Sequence, residues 1–314
     1  MHEVTVTSGR HMHMIDPYLT IWGWQIPIYL FLGGLVSGIL FFSALYFIRG
    51  KSKELPTVVR ISPLFAPFLL AVGLLALFLD LEYKWHVFRF YTNIRLQSPM
   101  SWGSWTLAVV FPLSILWALI QAPQVFSNWR WPWRWLKRTM EFITQKAKIV
   151  AWLLIIYASL LGMYTGILLS AFNARPLWNT AILGPLFLVS GLSTGVALNI
   201  LLSKNEKERQ LLSKIDVMAI GVEVFLIIHM FMGLLASTQV HIDAAKMFLG
   251  GPFTAPFWVF VVGLGLVIPA FIEILEVNKK VMATKIPAML VLFGGLILRF
   301  VIVEAGQISQ WIAY

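Results

Sequence analysis

Of 314 residues, 59% are hydrophobic and only 12% are charged, and the mean hydropathy is +0.80. A soluble domain carries roughly 25% charged residues, so this composition excludes a water-soluble enzyme or binding module. The formal net charge of +10 follows the alternation of membrane topology, and a nucleic-acid-binding role has nothing left to explain.

Crossing about 30 Å of hydrocarbon as a helix takes about 20 apolar residues. Eight such runs occur, at residues 24–48, 61–82, 102–122, 149–172, 178–202, 215–238, 256–277 and 286–306. They are long and continuous, without the alternation of barrel strands, so their backbones can be satisfied in lipid only as helices. The expected fold is an all-α integral membrane protein with eight transmembrane helices. Orientation follows from Lys and Arg, which concentrate in cytoplasmic connections. Of the 24, 17 lie in the first, third, fifth and seventh connections, 6 lie on the other side, and Arg299 falls inside the last run. Both termini are therefore expected outside the cytoplasm.

The first 20 residues are polar, with His2, Glu3, His11, His13 and Asp16, and lack a signal-peptide core. The first span is expected to act as its own insertion signal. The histidine spacing in this arm matches no ligand pattern, so no metal site is expected.

Residues 30–38 read LFLGGLVSG and residues 186–195 read LFLVSGLSTG. The repeat predicts two four-helix bundles related by an axis along the membrane normal. Residues 1–23 form an outer arm, 24–172 the first bundle and 173–314 the second. Each copy holds a G-x-x-x-G pair, Gly34 with Gly38 and Gly191 with Gly195, a flat strip for close helix approach. In the third connection, Trp129, Trp131, Trp133 and Trp135 stand among basic residues. An interfacial loop with an aromatic belt accounts for this stretch, and a contact with anionic lipid is the alternative.

With no cysteine in the sequence, iron–sulfur ligation through thiolates, disulfides and c-type haem attachment are excluded. Only His229 lies deep in a span, so a bis-histidine haem is not expected either. If the protein handles electrons, another subunit delivers them.

Ionisable residues inside spans are costly and therefore informative. One group gathers at the outer end of the first bundle. Asp80 and Glu82 close the second span, His86 follows, Gln25 and Tyr29 open the first span, and Ser101, Trp102, Ser104 and Trp105 open the third. Tyr164 and Thr165 stand in the outer half of the fourth. Residues that simply line the lipid interface would be of the same types, and the functional reading that suits this set is a quinone head group. Its carbonyls need donors such as Gln25, Tyr164 or His86, its ring needs apolar or aromatic walls, and its two protons need a relay such as Asp80 or Glu82.

The second bundle holds Asp216, Glu223, His229, Glu273, Glu276, Arg299 and Glu304 at staggered depths. Either Glu223, His229, Glu273, Arg299 and Glu304 form a proton route, or the acids pair with Arg299 as interhelical glue. Asp216 and Glu276 are expected near the cytoplasmic surface, solvated.

The combination of YLFLGGLVSG at residues 29–38, Asp80-Leu81, SPMSWGSW at residues 98–105, Tyr164-Thr165-Gly166 and the glycine motif at residues 191–195 resembles the NrfD/PsrC-like family of polysulfide-reductase membrane subunits. The resemblance covers nearly the whole sequence. It implies an eight-helix anchor in the cytoplasmic (inner) membrane that reacts with menaquinone or ubiquinone. Its expected partners are an extracytoplasmic ferredoxin-like iron–sulfur subunit and a catalytic molybdopterin or multihaem cytochrome subunit, with lipid around them. Carried over by position, Asp80, Trp102 and Tyr164 belong to the quinone pocket, with Gln25 at a polar first-span position. Many relatives continue the outer aspartate as D-L-G-R-P, where this protein reads Asp80-Leu81-Glu82-Tyr83-Lys84. Some carry a first-span histidine that this protein lacks, leaving His86 as a possible substitute. The competing classes are a proton-coupled secondary transporter, which would bind near the midplane at broken helices, and a structural anchor without a redox site.

Overall fold

A computed structural model describes residues 22–92, 95, 97–282 and 284–310; the three histidines of the N-terminal arm lie outside them. The described residues are helical, with no strand. Seven helices are long and apolar enough to cross a membrane. They are α1 (Gln25–Ile48), α4 (Pro99–Val125), α6 (Ala147–Ser170), α7 (Leu183–Leu202), α8 (Glu206–Leu235), the continuous Pro256–Val277 and α11 (Ile286–Ile308). Pro256–Val277 begins as a π-helix over Pro256–Val267 and ends as α10 (Ile268–Val277). Pro269 has no N–H to give the carbonyl four residues back, which loosens the helix there. Short helices α3 (Arg89–Thr92), α5 (Arg134–Gln145) and α9 (Gln239–Lys246) lie in the connections, where hydropathy gave no sign of them.

The second predicted span differs from expectation. A π turn at Thr57–Ile61 and a 3₁₀ turn at Ser62–Leu64 lead into α2 (Ala66–Asp80), and the two parts are bent by 41°. Counting the bent pair as one span makes eight crossings. Pro63 and Pro67 explain the bend, because each removes a helix donor and crowds the preceding turn. Side chains satisfy the backbone groups that the bend would otherwise strand. Ser62 Oγ donates to Val58 O at 3.1 Å and Ser43 Oγ to Val59 O at 3.1 Å. Trp117 Nε1 in turn donates to Ser43 Oγ at 2.8 Å.

At the front of the bend, the Thr57 and Val58 N–H groups donate to Glu208 Oε1 at 3.0 and 3.2 Å, while Ser203 Oγ donates to Oε2 at 2.9 Å. A buried carboxylate from α8 thus caps a helix start in the other half of the protein. Glu208→Ala leaves two buried N–H groups unmatched and is expected to cost about 3 kcal/mol, whereas Glu208→Gln keeps one acceptor oxygen and should cost less. Thermal unfolding of the two variants side by side measures the difference.

The core runs along α1, which packs on α2, α6, α7 and α11. Its glycine strip meets the matching strip of α7. A Cβ on Gly34 would stand 3.3 Å from Gly191 Cα, and one on Gly195 would stand 2.6 Å from the Gly38 backbone. The two motifs recognised as a repeat therefore pack against each other, backbone on backbone. A second crossing of this kind joins Gly265 to Gly294. The start of α1 is fastened to the end of α11, where Gln307 exchanges hydrogen bonds with both backbone groups of Trp22 at 2.8 and 3.0 Å. Trp22 also stacks on Trp178, with ring centroids 5.2 Å apart.

Candidate functional site

The start of α1, the end of α2, the start of α4 and the end of α6 enclose a cavity of about 450 Å³. Its walls are mainly apolar, with Leu74, Phe78, Leu107 and Phe111 among them, and its polar groups are Tyr29, Tyr91, Ser104 and Tyr164. Tyr29 is 2% exposed and Tyr164 8%. The Tyr29 hydroxyl is buried and has no hydrogen-bond partner among the described residues. An orphaned hydroxyl costs about 1–3 kcal/mol, a cost that a ligand offering an acceptor removes. Tyr164 is seated on Gly103, where any Cβ would overlap the phenol ring. The glycine of SPMSWGSW is therefore the cradle that lets α4 approach this tyrosine.

The other expected residues are placed around this cavity rather than in it. Asp80 is half-buried at the end of α2, between cavity-lining Phe78 and Leu81. His86 is exposed and lines a neighbouring outer hollow of about 460 Å³ with Glu82, Arg89 and Arg95. The two spaces share Leu81, Phe90 and Met100 as walls. Gln25 points its buried Oε1 toward Gly23 and lines neither space. Trp102 is mostly exposed and lines neither. Tyr91 escaped sequence reading because it stands in a connection; the aromatic run Phe88, Phe90 and Tyr91 was the signal that could have found it.

In the second half, Asp216, Glu223, Glu273, Glu276 and Arg299 are all buried. The expectation that Asp216 and Glu276 are solvated is thus corrected. Ser193 Oγ donates to Asp216 Oδ1 at 2.6 Å, while Asp216 Oδ2 and both carboxyl oxygens of Glu273 are buried without a hydrogen-bond partner among the described residues. Glu276 accepts from Ser213 Oγ at 3.3 Å and from Thr284 N and Oγ1 at 2.7 and 3.0 Å, which stitches α8, α10 and the following turn together. Arg299 donates to Ser190 Oγ, to Gly295 O at 3.1 Å and to Phe187 O at 3.2 Å. Its guanidinium carbon lies 4.8 Å from the centroid of the Phe187 ring.

His229 and Glu304 do not join this network. Both are exposed, and His229 is occupied by its own helix, with Nδ1 2.9 Å from Phe225 O. Their spacing explains it. Asp216 and Glu223 are seven residues apart and share a helix face, whereas His229 falls about 120° around α8 from Glu223 at about 100° per residue.

The family model described as "Polysulphide reductase, NrfD" matches residues 13–310. "Protein NrfD" of Escherichia coli is 30% identical over 98% of this protein and 99% of its own length. A polysulfide reductase subunit of Wolinella succinogenes is 30% identical over 93% of this protein and 96% of its own length. "Protein NrfD homolog" of Haemophilus influenzae is 28% identical over 92% and 95%.

Proposed function

Because the protein belongs to the NrfD polysulphide reductase family, we propose that it is the quinone-reactive membrane subunit of a respiratory oxidoreductase complex, with quinone or quinol bound between Tyr29 and Tyr164. The observation that carries this reading is the unpartnered, buried Tyr29 hydroxyl in the wall of a cavity otherwise lined mainly by apolar side chains. A quinone head group needs this combination of apolar walls with a few donors for its carbonyl oxygens. Tyr29 and Tyr164 orient the ring by donating to carbonyls, and the aliphatic walls exclude water. Asp80, on the turn between the cavity and the outer hollow, exchanges the proton that oxidation or reduction of the ring releases or takes up. His86 extends that exchange outward, and Gln25 and Trp102 shape the surroundings.

Carrying no thiolate ligand of its own, the subunit exchanges electrons with an extracytoplasmic ferredoxin-like iron–sulfur subunit, which in turn serves a molybdopterin or multihaem catalytic subunit. The Wolinella succinogenes relative is named as one part of its reductase, which fits a multi-subunit assembly. The host membrane is the cytoplasmic one, both termini face outside, and the two halves form successive bundles.

Gly103→Ala tests the site without deleting a polar group. The new methyl displaces the Tyr164 ring and with it the hydroxyl, so affinity for a quinone analogue should fall roughly 5- to 150-fold, the equivalent of about 1–3 kcal/mol for a donor lost from a buried carbonyl. Unchanged affinity in an assembled complex would move the quinone elsewhere.

The acidic network of the second half supports a proton route through Asp216, Glu223, Glu273 and Glu276, beside Arg299. Asp216 Oδ2 and both Glu273 carboxyl oxygens are buried without a hydrogen-bond partner among the described residues, an arrangement that a proton held on one of the two acids relieves. Glu273→Gln should preserve quinol turnover and abolish coupled proton uptake, read as protons per quinol in proteoliposomes. Unchanged stoichiometry with a lowered unfolding temperature would leave the network a structural one.

A further inference from the structure

The connection between α4 and α6 holds a helix whose three faces meet three different surroundings. On α5, Met140 is buried, and Leu136 and Ile143 pack against the protein core. Trp135 and Phe142 stand together on the next sector and are 62% and 63% exposed. Arg134 and Arg138 follow on the third sector, at about 100° of turn per residue. They and the preceding Arg130 have no ion pair or hydrogen bond among the described residues, whereas Lys137 is matched by Glu141 at 3.8 Å. Ahead of the helix, Trp133 stacks on Trp135 with centroids 5.8 Å apart, and Trp129 stacks on Phe126 at 6.0 Å.

This helix cannot leave the membrane boundary. Lys146 alone separates its last residue, Gln145, from the first residue of the spanning helix α6, Ala147. A helix held there with two large aromatics bare must rest them on the acyl–headgroup boundary, and the arginines beside them then reach the headgroup layer. We propose that α5 and the tryptophan-rich turn before it form a binding site for anionic phospholipid headgroups, with Arg130, Arg134 and Arg138 as the phosphate-pairing groups and Trp135 and Phe142 as the anchors among the acyl chains. Unmatched arginines set against an acid-poor surface make the charge complementarity one-sided, and guanidinium forks pair phosphate oxygens two at a time. The site is separate from the quinone cavity and does not depend on what occupies it.

The test is native mass spectrometry of the full-length protein, purified in its complex and titrated with phosphatidylglycerol and, separately, with phosphatidylcholine. A basic residue near an anionic surface contributes about fivefold in affinity. The Arg130→Gln, Arg134→Gln, Arg138→Gln triple variant should therefore lose roughly 100-fold for phosphatidylglycerol and little for phosphatidylcholine. A control with Lys204, Lys207 and Lys214 replaced by Gln should stay within about threefold of wild type. Raising ionic strength on the wild-type protein should shrink its preference for phosphatidylglycerol, a measurement that involves no variant. A salt-independent preference, an unchanged arginine variant, or an equal loss in the lysine control would each overturn the proposal.

Discussion

Asp80→Asn should lower quinol turnover by about 10²- to 10⁴-fold, the range contributed by a positioned acid or base, with a much smaller change in affinity. Asparagine keeps the shape of the side chain and its place at the end of α2, so the turn that carries Leu81 into the cavity wall is preserved. What it loses is the ability to take and release a proton between the cavity and the outer hollow. Steady-state kinetics on the intact complex separates the two effects, because loss of an interaction used only during reaction falls on kcat rather than on KM. The assay must first establish that the proposed partner subunits are still attached, since a lost partner imitates a lost proton relay. Turnover at the wild-type rate in an intact complex would remove Asp80 from the mechanism.

Tyr29→Phe and Tyr164→Phe should each weaken quinone binding by roughly 5- to 150-fold, which corresponds to about 1–3 kcal/mol for a donor removed from a buried carbonyl. The two variants should differ in stability. The Tyr29 hydroxyl has no partner among the described residues, so removing it relieves a buried orphan, and Tyr29→Phe should unfold at the same temperature as wild type or slightly above it. Affinity lost without stability lost is the signature of a group kept for a ligand. If Tyr29→Phe binds a quinone analogue as tightly as wild type, the hydroxyl does not address the head group. The double variant should lose more than either single one, though not by simple multiplication, because in the proposed binding mode both hydroxyls address one ring.

Several features were legible in the amino-acid order itself. Continuous apolar runs of membrane-crossing length leave only a helix, because lipid offers the backbone no hydrogen bonds. Seven of the predicted spans reappear as helices long enough to cross a membrane, and the second as a bent pair of shorter helices. The paired glycine motifs announced a close helix approach, and α1 does meet α7 at those residues. Tyr29 and Tyr164 were readable as companions because they fall at the same end of neighbouring spans, and they line one cavity.

Tertiary structure decided which way each polar residue faces. In a soluble helix an apolar stripe marks the inward side. A spanning helix is apolar toward lipid and toward its neighbours alike, so hydropathy carries no record of its orientation. For that reason Asp216 and Glu276 looked like surface residues and are buried, while His229 and Glu304 looked like members of the network and are exposed. Only the seven-residue spacing of Asp216 and Glu223 held a hint of the true face. The bend in the second span had local cause in Pro63 and Pro67, yet the groups that make it tolerable come from afar: Ser43 on α1, Trp117 on α4 and Glu208 on α8. Such partners are set by packing across the bundle, where long sequence separation hides them. The sequence thus determined that the protein is helical, that it crosses a membrane and which end of its first half is polar; the packing of α1 against α2 and α6, and of α4 against those same two helices, decided which of those polar groups face a common cavity.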